Sequence, residues 1–228
     1  MSATTPHSRF RKEIFKMKAS SCTILDTLIE RYPVLSDARE SVLSAFGMIA
    51  DAYEKGNKLL VCGNGGSAAD SEHIVGELMK SFKKRRPINA DTQKALSSLG
   101  ERGELLVKTL EGTLRAIALT SHTALSTAFS NDKLPAATYA QQVYGYADRG
   151  DILLAISTSG NAENCALAAV TAKAKGMSVV ALTGKNESTL SSLAAVAIRV
   201  PETETYKVQE LHLPVYHCLC AMLEEEFF

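Results

Sequence analysis

Short runs of apolar residues, each bounded by glycine or polar residues, recur along the chain at a length typical of buried strands. Five such runs stand at residues 59–62, 115–119, 151–156, 177–182 and 195–200. Between them, apolar residues recur at helical spacing. This order requires right-handed crossovers and a parallel sheet that is covered on both faces. The sequence therefore predicts an α/β fold built on a doubly wound five-stranded parallel sheet.

Helical patterns fall between and after the later strands. They cover about residues 134–146, 162–175, 188–194 and 205–226. The last pattern is long and contains Pro214, a residue that kinks helices.

Two more helices are predicted ahead of the first strand. One runs from about residue 7 to the break at Pro33, and the other covers about residues 36–53. Each has an apolar side that must pack on the helices of the sheet or on another subunit. We favour the subunit. We therefore divide the chain into an N-terminal helical extension for oligomerisation at 1–55 and an α/β domain at 56–228.

A polar segment at about residues 83–111 interrupts the strand and helix order within the domain. Four leucines give it a helical pattern: Leu96, Leu99, Leu106 and Leu110. We predict a helical insertion. The segment opens with the basic run KKRRP at residues 83–87. A solvated helix end is the favoured interpretation of this run, and steering of a phosphate group is the alternative.

Composition narrows the class of protein. The 228 residues are 46% hydrophobic and 22% charged with a formal net charge of zero, which supports binding neither to nucleic acid nor to a membrane. No apolar run approaches the roughly 20 residues of a membrane span, and residues 1–18 lack the apolar centre of a signal peptide. The five scattered cysteines lie mostly in apolar segments, as reduced thiols do. We expect a cytoplasmic protein.

Two loops at strand ends favour binding of an anion. GNGGSAAD at residues 63–70 leads into a helix for which Ser67 is the expected N-cap, and STSGN at residues 157–161 leads into another. N–H groups at a helix start, together with neutral hydroxyls, favour phosphate. Neither nucleotide-binding glycine pattern is present. Because ligands bind at the carboxyl ends of such strands, both loops are expected to hold one sugar phosphate. For the second loop, an overcapped helix start is the alternative.

His73 and Glu77 lie four residues apart and therefore share one face of the helix that follows the first loop. Taken alone, such a pair is more often a solvated or packed helix surface than a site.

Three motifs together resemble the sugar isomerase (SIS) superfamily: GNGGSAAD, STSGN, and VQELHLPVYHCLC at residues 208–220. Within that superfamily they are similar to the phosphoheptose isomerase family. The resemblance covers the chain from about residue 59 to the C-terminus, outside the insertion.

The resemblance implies a divalent metal, usually zinc, held by His73, Glu77, Gln209 and His217. All four residue types are present, and two nitrogens with two oxygens suit zinc, although an amide ligand is uncommon. Gln209 and His217 are eight residues apart, so they lie along one side of the last helix and can face the other two. His212 points elsewhere on that helix, and we expect it to pack.

The resemblance also implies contacts to a phosphorylated sugar. Substrate contacts are assigned to Asn64, Gly65, Gly66 and Gln209, phosphate contacts to Ser67, Ser157, Thr158 and Ser159, and sugar hydroxyl contacts to Asn131 and Asp132. For the last two, capping of the helix expected near residue 134 is the alternative. A homo-oligomer, commonly a tetramer with sites between subunits, is implied as well.

The implied reaction is the isomerisation of an aldose and a ketose through an enediol. It needs a base and an acid beside the carbonyl group, roles that suit Glu77 and His217. The metal would polarise the carbonyl or order these groups. The implied conversion is that of sedoheptulose 7-phosphate to D-glycero-D-manno-heptose 7-phosphate.

Several positions depart from the usual family pattern. They are Ser81, His122, Gln141 and Ala162, where arginine, aspartate, arginine and serine are common. These departures affect substrate recognition more than the metal set. Two alternatives therefore stay open, namely an isomerase of another phosphosugar, and a non-catalytic SIS sensor or adaptor that resembles the DnaA initiator-associating protein. The metal set argues against the second.

Overall fold

A five-stranded parallel sheet lies at the centre of the structure, a computed structural model that describes residues 17–228. The strands are β1 Leu59–Cys62, β2 Ala116–Ala118, β3 Ile152–Ser157, β4 Ser178–Thr183 and β5 Val196–Arg199. They lie in the order β2-β1-β3-β4-β5, and each neighbouring pair is parallel. The predicted α/β fold is confirmed, and each strand begins within one residue of its expected start.

The sheet is covered by helices, with two short 3₁₀ turns at Pro33–Ala38 and Pro135–Ala137. The α-helices are α1 Ala19–Arg31, α2 Arg39–Glu54, α3 Gly66–Met79, α4 Ala90–Ser97, α5 Glu101–Thr109, α6 Thr123–Asp132, α7 Thr138–Tyr146, α8 Glu163–Ala174, α9 Thr189–Leu193 and α10 Thr205–Phe227. Pro214 lies inside α10.

Successive strand residues face two different cores. Leu59 and Val61 are buried in a core shared with α1, α2, α3 and α10, whereas Leu60 and Cys62 are buried in a core shared with α7, α8 and α9. All six residues of β3 are buried. Because both faces are covered, the strands are continuous apolar runs rather than alternating patterns.

The N-terminal helices pack within the chain. Leu25 and Leu28 of α1 and Phe46 and Ile49 of α2 are buried in the same core as the sheet. Our expectation that another subunit covers the apolar sides of these helices is therefore wrong for these side chains. The expected helix start near residue 7 lies outside the described residues. A role of this extension in oligomerisation stays a prediction.

The segment after α3 contains the two helices of the predicted insertion, α4 and α5. They pack on each other, and Pro87 and Glu111 form a short antiparallel bridge at the base of this hairpin. The side chains of Leu99, Leu105 and Leu106 are exposed. The leucine pattern thus marks helices whose apolar side chains are only partly covered by the described residues of the chain.

The helix α6 was not predicted. It is short and has no buried residue. Asn131 and Asp132 are its last two residues. The next α-helix begins only at Thr138 with Ala137 as its N-cap. The alternative that Asn131 and Asp132 cap a helix beginning near residue 134 is therefore wrong.

One arginine of the basic run is buried, contrary to the solvated helix end that we favoured. Arg86 is 0% exposed, and its Nε donates to Oε1 of Glu224 at 2.7 Å. Its other nitrogens donate to the carbonyl oxygens of Glu77 and Leu78, both at 2.9 Å. The carboxylate of Glu224 also accepts the backbone N–H groups of Phe82, Lys83 and Lys84. This Arg86–Glu224 pair joins the end of α3 to α10.

No helix among residues 17–228 combines the length and apolarity needed to cross a bilayer. All five cysteines are free thiols, and only Cys22 is not fully buried. The prediction of reduced thiols in apolar segments is thus confirmed. His212 is also buried, as expected of a packing residue, and burial lowers its pKa to about 4.

Candidate active site

The first loop needs its glycines for close contacts. Gly65 has a φ of +56°, a left-handed conformation that favours glycine, and it is the N-cap of α3. A Cβ atom on Gly63 would lie 2.5 Å from the carbonyl oxygen of Ser67. Ser67 was expected to be the N-cap, but it is the second residue of the helix and is buried. The N–H groups of Ser67 and Ala68 donate to the carbonyl oxygens of Asn64 and Gly65, whereas those of Gly65 and Gly66 have no partner among the described residues and are available to an anion.

The second loop follows β3 and presents its hydroxyls at different depths. Ser157 is buried, Thr158 is half-buried and Ser159 is exposed. Hydroxyl oxygens of the loop accept N–H groups of the same loop, since the N–H of Gly160 donates to Ser157 Oγ at 3.1 Å and that of Asn161 to Ser159 Oγ at 3.2 Å. Accepting these bonds leaves both hydroxyl protons available for a ligand oxygen.

Two side chains that the sequence did not single out, Asn164 and Tyr139, bond to the first loop. Asn64 and Asn164 exchange two amide hydrogen bonds, each of 2.8 Å. The hydroxyl of Tyr139 donates to the carbonyl oxygen of Gly63 at 2.6 Å. The position of Asn164 in the first turn of α8 was the available signal. The contacts confirm that the first and second loops are adjacent at one edge of the sheet.

The proposed acid, base and metal ligands of α3 and α10 are adjacent. Nε2 of His73 lies 3.2 Å from Oε1 of Glu77 and 3.5 Å from Nε2 of His217. The rings of the two histidines meet edge-on with centroids 4.9 Å apart. The side chain of His73 is 43% exposed and that of Glu77 only 13%. The expectation that His217 faces His73 and Glu77 is met.

The electrostatic surroundings keep His217 neutral to lower pH than an ordinary histidine. Burial lowers the pKa of His217, the neighbouring His73 lowers it further, and the carboxylate of Glu77 acts in the opposite direction. A neutral imidazole is the form that binds a metal.

Gln209 lies at the first loop. A Cβ atom on Gly66 would be 2.5 Å from Nε2 of Gln209, so glycine at this position makes room for the amide. Gln209 is thus placed beside the start of α3, and the three other proposed ligands are further along α3 and α10.

A second polar network lies on the Nδ1 side of the His73 ring. The hydroxyl of Tyr216 donates to Oδ1 of Asp70 at 3.2 Å and lies 3.0 Å from Nδ1 of His73. Burial raises the pKa of Asp70, and the bond from Tyr216 opposes that shift. Tyr216 was not recognisable from the sequence, because a tyrosine on the apolar side of a helix is ordinarily a packing residue.

The donor set fits zinc in its chemistry, although it is not preformed. Ligand atoms at 2.0–2.1 Å in a tetrahedral zinc site are about 3.3 Å apart, close to the two distances around Nε2 of His73. Among residues 17–228, however, no group of three or more His, Cys, Asp or Glu side chains has the arrangement of a metal site. Gln209, being an amide, is outside that set of residue types.

Asn131 and Asp132 are hydrogen-bonded to each other. Both are exposed at the end of α6, and Nδ2 of Asn131 donates to Oδ1 of Asp132. Among the described residues, neither side chain hydrogen-bonds to the two loops or to His73, Glu77 or His217. The structure therefore places Gln209 beside the first loop, and among the described residues no hydrogen bond joins Asn131 or Asp132 to the site.

Known proteins resemble the chain over almost its whole length. Residues 28–102 and 111–222 match models of the SIS domain. A phosphoheptose isomerase of Citrifermentans bemidjiense is 38% identical over 194 residues, which are 85% of this chain and 86% of the relative. The solved structure of a phosphoheptose isomerase from Francisella tularensis has a TM-score of 0.70 at 26% identity, and covers 97% of this chain and 100% of that chain. The one from Neisseria gonorrhoeae has a TM-score of 0.67 at 27% identity with the same coverage. The chain therefore belongs to the phosphoheptose isomerase family of SIS-domain proteins.

Proposed function

We propose that this protein is an aldose–ketose isomerase that converts sedoheptulose 7-phosphate to D-glycero-D-manno-heptose 7-phosphate. The observation that carries this proposal is the adjacency of His73, Glu77 and His217, the first two of which lie on the helix that begins at the first glycine loop. The names of the relatives support the substrate. The loops are well suited to the phosphate, because they offer backbone N–H groups and neutral hydroxyls.

Glu77 and His217 are proposed to move the protons. In the reaction a proton leaves C1 of the ketose and one is returned to C2, while O1 loses a proton and O2 gains one. We assign the carbon-bound proton to the carboxylate of Glu77, which is only 13% exposed and thus shielded from water. We assign the oxygen protons to His217, whose lowered pKa keeps a neutral imidazole available near neutral pH.

Zinc is the proposed cofactor, with His73, Glu77, Gln209 and His217 as its ligands. When bound, zinc supplies a Lewis acid that polarises the carbonyl and stabilises negative charge on the enediol oxygens. Support comes from the donor types and from the two short distances around Nε2 of His73. Because the set is not preformed, we expect its affinity for zinc to be modest.

An isomerase of another phosphosugar remains the second candidate, and the structure gives one reason to test it. Ser81, where the family commonly has arginine, donates its N–H and its hydroxyl to the carboxylate of Glu111 at 2.8 and 2.6 Å. Glu111 stands at the base of the α4–α5 hairpin. The arginine that is common at this position is thus replaced here by a neutral group that is already hydrogen-bonded.

One experiment separates the two candidates. The purified protein with zinc is incubated with sedoheptulose 7-phosphate and, separately, with a panel of shorter ketose phosphates, and the aldose products are followed by proton NMR. We expect an aldoheptose phosphate from the first substrate. Turnover of another ketose phosphate alone would favour the second candidate, and no turnover of any of them with metal restored would contradict both.

We further propose that the protein acts in the cytoplasm as a homo-oligomer, most simply a tetramer. The exposed Leu99, Leu105 and Leu106 of the α4–α5 hairpin support an association of chains. Light scattering at micromolar concentration is expected to show four chains per particle. A monomer would contradict the proposal.

A further inference from the structure

We propose that Tyr216 is a positioning residue that fixes the ring proton of His73 on Nδ1 and leaves Nε2 unprotonated for a metal. This inference rests on the zinc-binding part of the proposed function. It assigns a role to a buried side chain that is neither a proposed zinc ligand nor a proposed substrate contact.

The hydroxyl of Tyr216 stands between a carboxylate and an imidazole. Its oxygen lies 3.2 Å from Oδ1 of Asp70 and 3.0 Å from Nδ1 of His73. Tyr216 is 1% exposed, and its ring meets that of His73 at 73° with centroids 5.5 Å apart. Burial on this scale keeps the hydroxyl in one place, so both contacts are made by the same oxygen atom.

A hydroxyl has one proton to donate, and it goes to the stronger acceptor. The carboxylate of Asp70 is charged and accepts more strongly than a neutral imidazole. Oδ2 of Asp70 is buried without a hydrogen-bond partner among the described residues, which makes the bond to Oδ1 more important. The oxygen of Tyr216 then has only lone pairs for His73. The 3.0 Å contact is therefore a hydrogen bond from Nδ1–H of His73 to Tyr216.

This tautomer has a consequence on the other side of the ring. Nε2 of His73 faces Oε1 of Glu77 at 3.2 Å and Nε2 of His217 at 3.5 Å. The lone pairs of this unprotonated nitrogen and of the carboxylate oxygen then face the same space, which a cation would fill. Metal-binding histidines generally donate their other N–H to a carboxylate or carbonyl group, which fixes the tautomer. Here the hydroxyl of Tyr216 accepts that N–H and in turn donates to the carboxylate of Asp70.

The affinity for zinc directly tests the hydrogen bonds that join Asp70, Tyr216 and His73. Zinc dissociation constants are measured by competition with a chelating dye for the wild type, Tyr216→Phe and Asp70→Asn. Loss of such a supporting partner typically weakens metal binding by about 10–100-fold, and we expect this for both variants. Tyr53→Phe is the matched control, because Tyr53 loses only a 3.3 Å bond to the Arg115 carbonyl oxygen at the far end of the sheet. Its dissociation constant is expected to be unchanged.

The tautomer itself is read by nitrogen-15 NMR of the histidine rings, which needs neither turnover nor metal. In the metal-free wild type at neutral pH, we expect the His73 proton on Nδ1, and in Tyr216→Phe a loss of this preference. A proton on Nε2 in the wild type, or unchanged zinc affinity in Tyr216→Phe, would overturn the inference. If the wild type bound no zinc, the cofactor proposal would fail, and the NMR result would still decide the role of Tyr216.

Discussion

The two ends of α3 differ sharply. At its start, Gly65 and Gly66 are exposed and no side chain caps the helix. At its end, the carbonyl oxygens of Glu77 and Leu78 accept hydrogen bonds from Arg86, which is fully buried. The start of the helix thus leaves the N–H groups of Gly65 and Gly66 without a partner among the described residues, whereas the carbonyl groups at its end are satisfied inside the protein.

The two ends of α3 therefore suit different roles. An open N-terminus binds anions, because its N–H groups and the helix dipole favour negative charge. The closed end holds Glu77 in place against α10. Glu224 lies in α10 seven residues after His217, so the Arg86–Glu224 pair fixes the two helices that carry the proposed base and acid.

The largest effect is expected from the base itself. Glu77→Gln removes the group that takes the proton from carbon, and positioned bases contribute about 10²–10⁴-fold to rates. We expect the turnover of sedoheptulose 7-phosphate to fall by at least that factor, as measured by product formation. Glu72→Gln is the control, because Glu72 is exposed on the same helix and bonds only to Thr120 Oγ1 among the described residues. A Glu77→Gln enzyme within tenfold of the wild type would contradict the assignment.

The next largest effect is expected on stability, at the end of α3 where Arg86 pairs with Glu224. Glu224→Gln leaves the buried guanidinium of Arg86 without its carboxylate, and breaking a buried ion pair costs about 3–5 kcal/mol of unfolding free energy. Urea unfolding measures the loss. Glu225→Gln is the matched control, since its carboxylate pairs with Lys84 at the surface, and we expect it to unfold nearly as the wild type does. Equal losses in the two variants would show that the buried pair has no special role.

A smaller effect is expected at the open end. In Gly66→Ala the new methyl group meets the amide of Gln209, a flexible side chain that moves away at little cost to stability. We expect zinc affinity and kcat/KM to fall about tenfold, which corresponds to about 1.4 kcal/mol. Gly76→Ala in the same helix meets no atom within 4 Å and is expected to leave activity unchanged. If both variants behaved alike, the contact between Gly66 and Gln209 would have no function.

The smallest effect is a dependence on pH. Burial alone raises the pKa of Glu224, but its backbone donors and Arg86 outweigh this and hold the pKa below the ordinary value of 4.5. The ionised carboxylate therefore stabilises the fold above pH 4.5, and this contribution is lost as the pH falls below it. The difference in unfolding free energy between the wild type and Glu224→Gln should be constant above pH 4.5 and shrink below it. A difference that shrinks already between pH 7 and pH 5 would contradict this account.

The fold was largely predictable from the sequence because its information is local. Buried parallel strands are continuous apolar runs, and each strand was placed within one residue at its start. The exception, α6, is a ten-residue helix with no buried residue. The packing of α1 and α2 was misjudged because an apolar helix side shows that something covers it but not what.

The site was predictable where a helix repeat brings residues to one face. His73 and Glu77 share such a face, and the family resemblance supplied His217 from the other end of the chain. Arg86 and Tyr216 were missed, since their partners are distant in sequence. Arg86 bonds to Glu224 138 residues away, and Tyr216 to Asp70 146 residues away. Such pairs depend on tertiary packing, which no local pattern reports.

The most direct test of the account is a crystal structure of the zinc-loaded protein with sedoheptulose 7-phosphate bound. We expect the phosphate at the loops of residues 64–67 and 157–159, and C1 and C2 of the sugar beside Glu77 and His217. A phosphate bound elsewhere, or a sugar whose C1 and C2 lie out of reach of Glu77, would contradict the central claim.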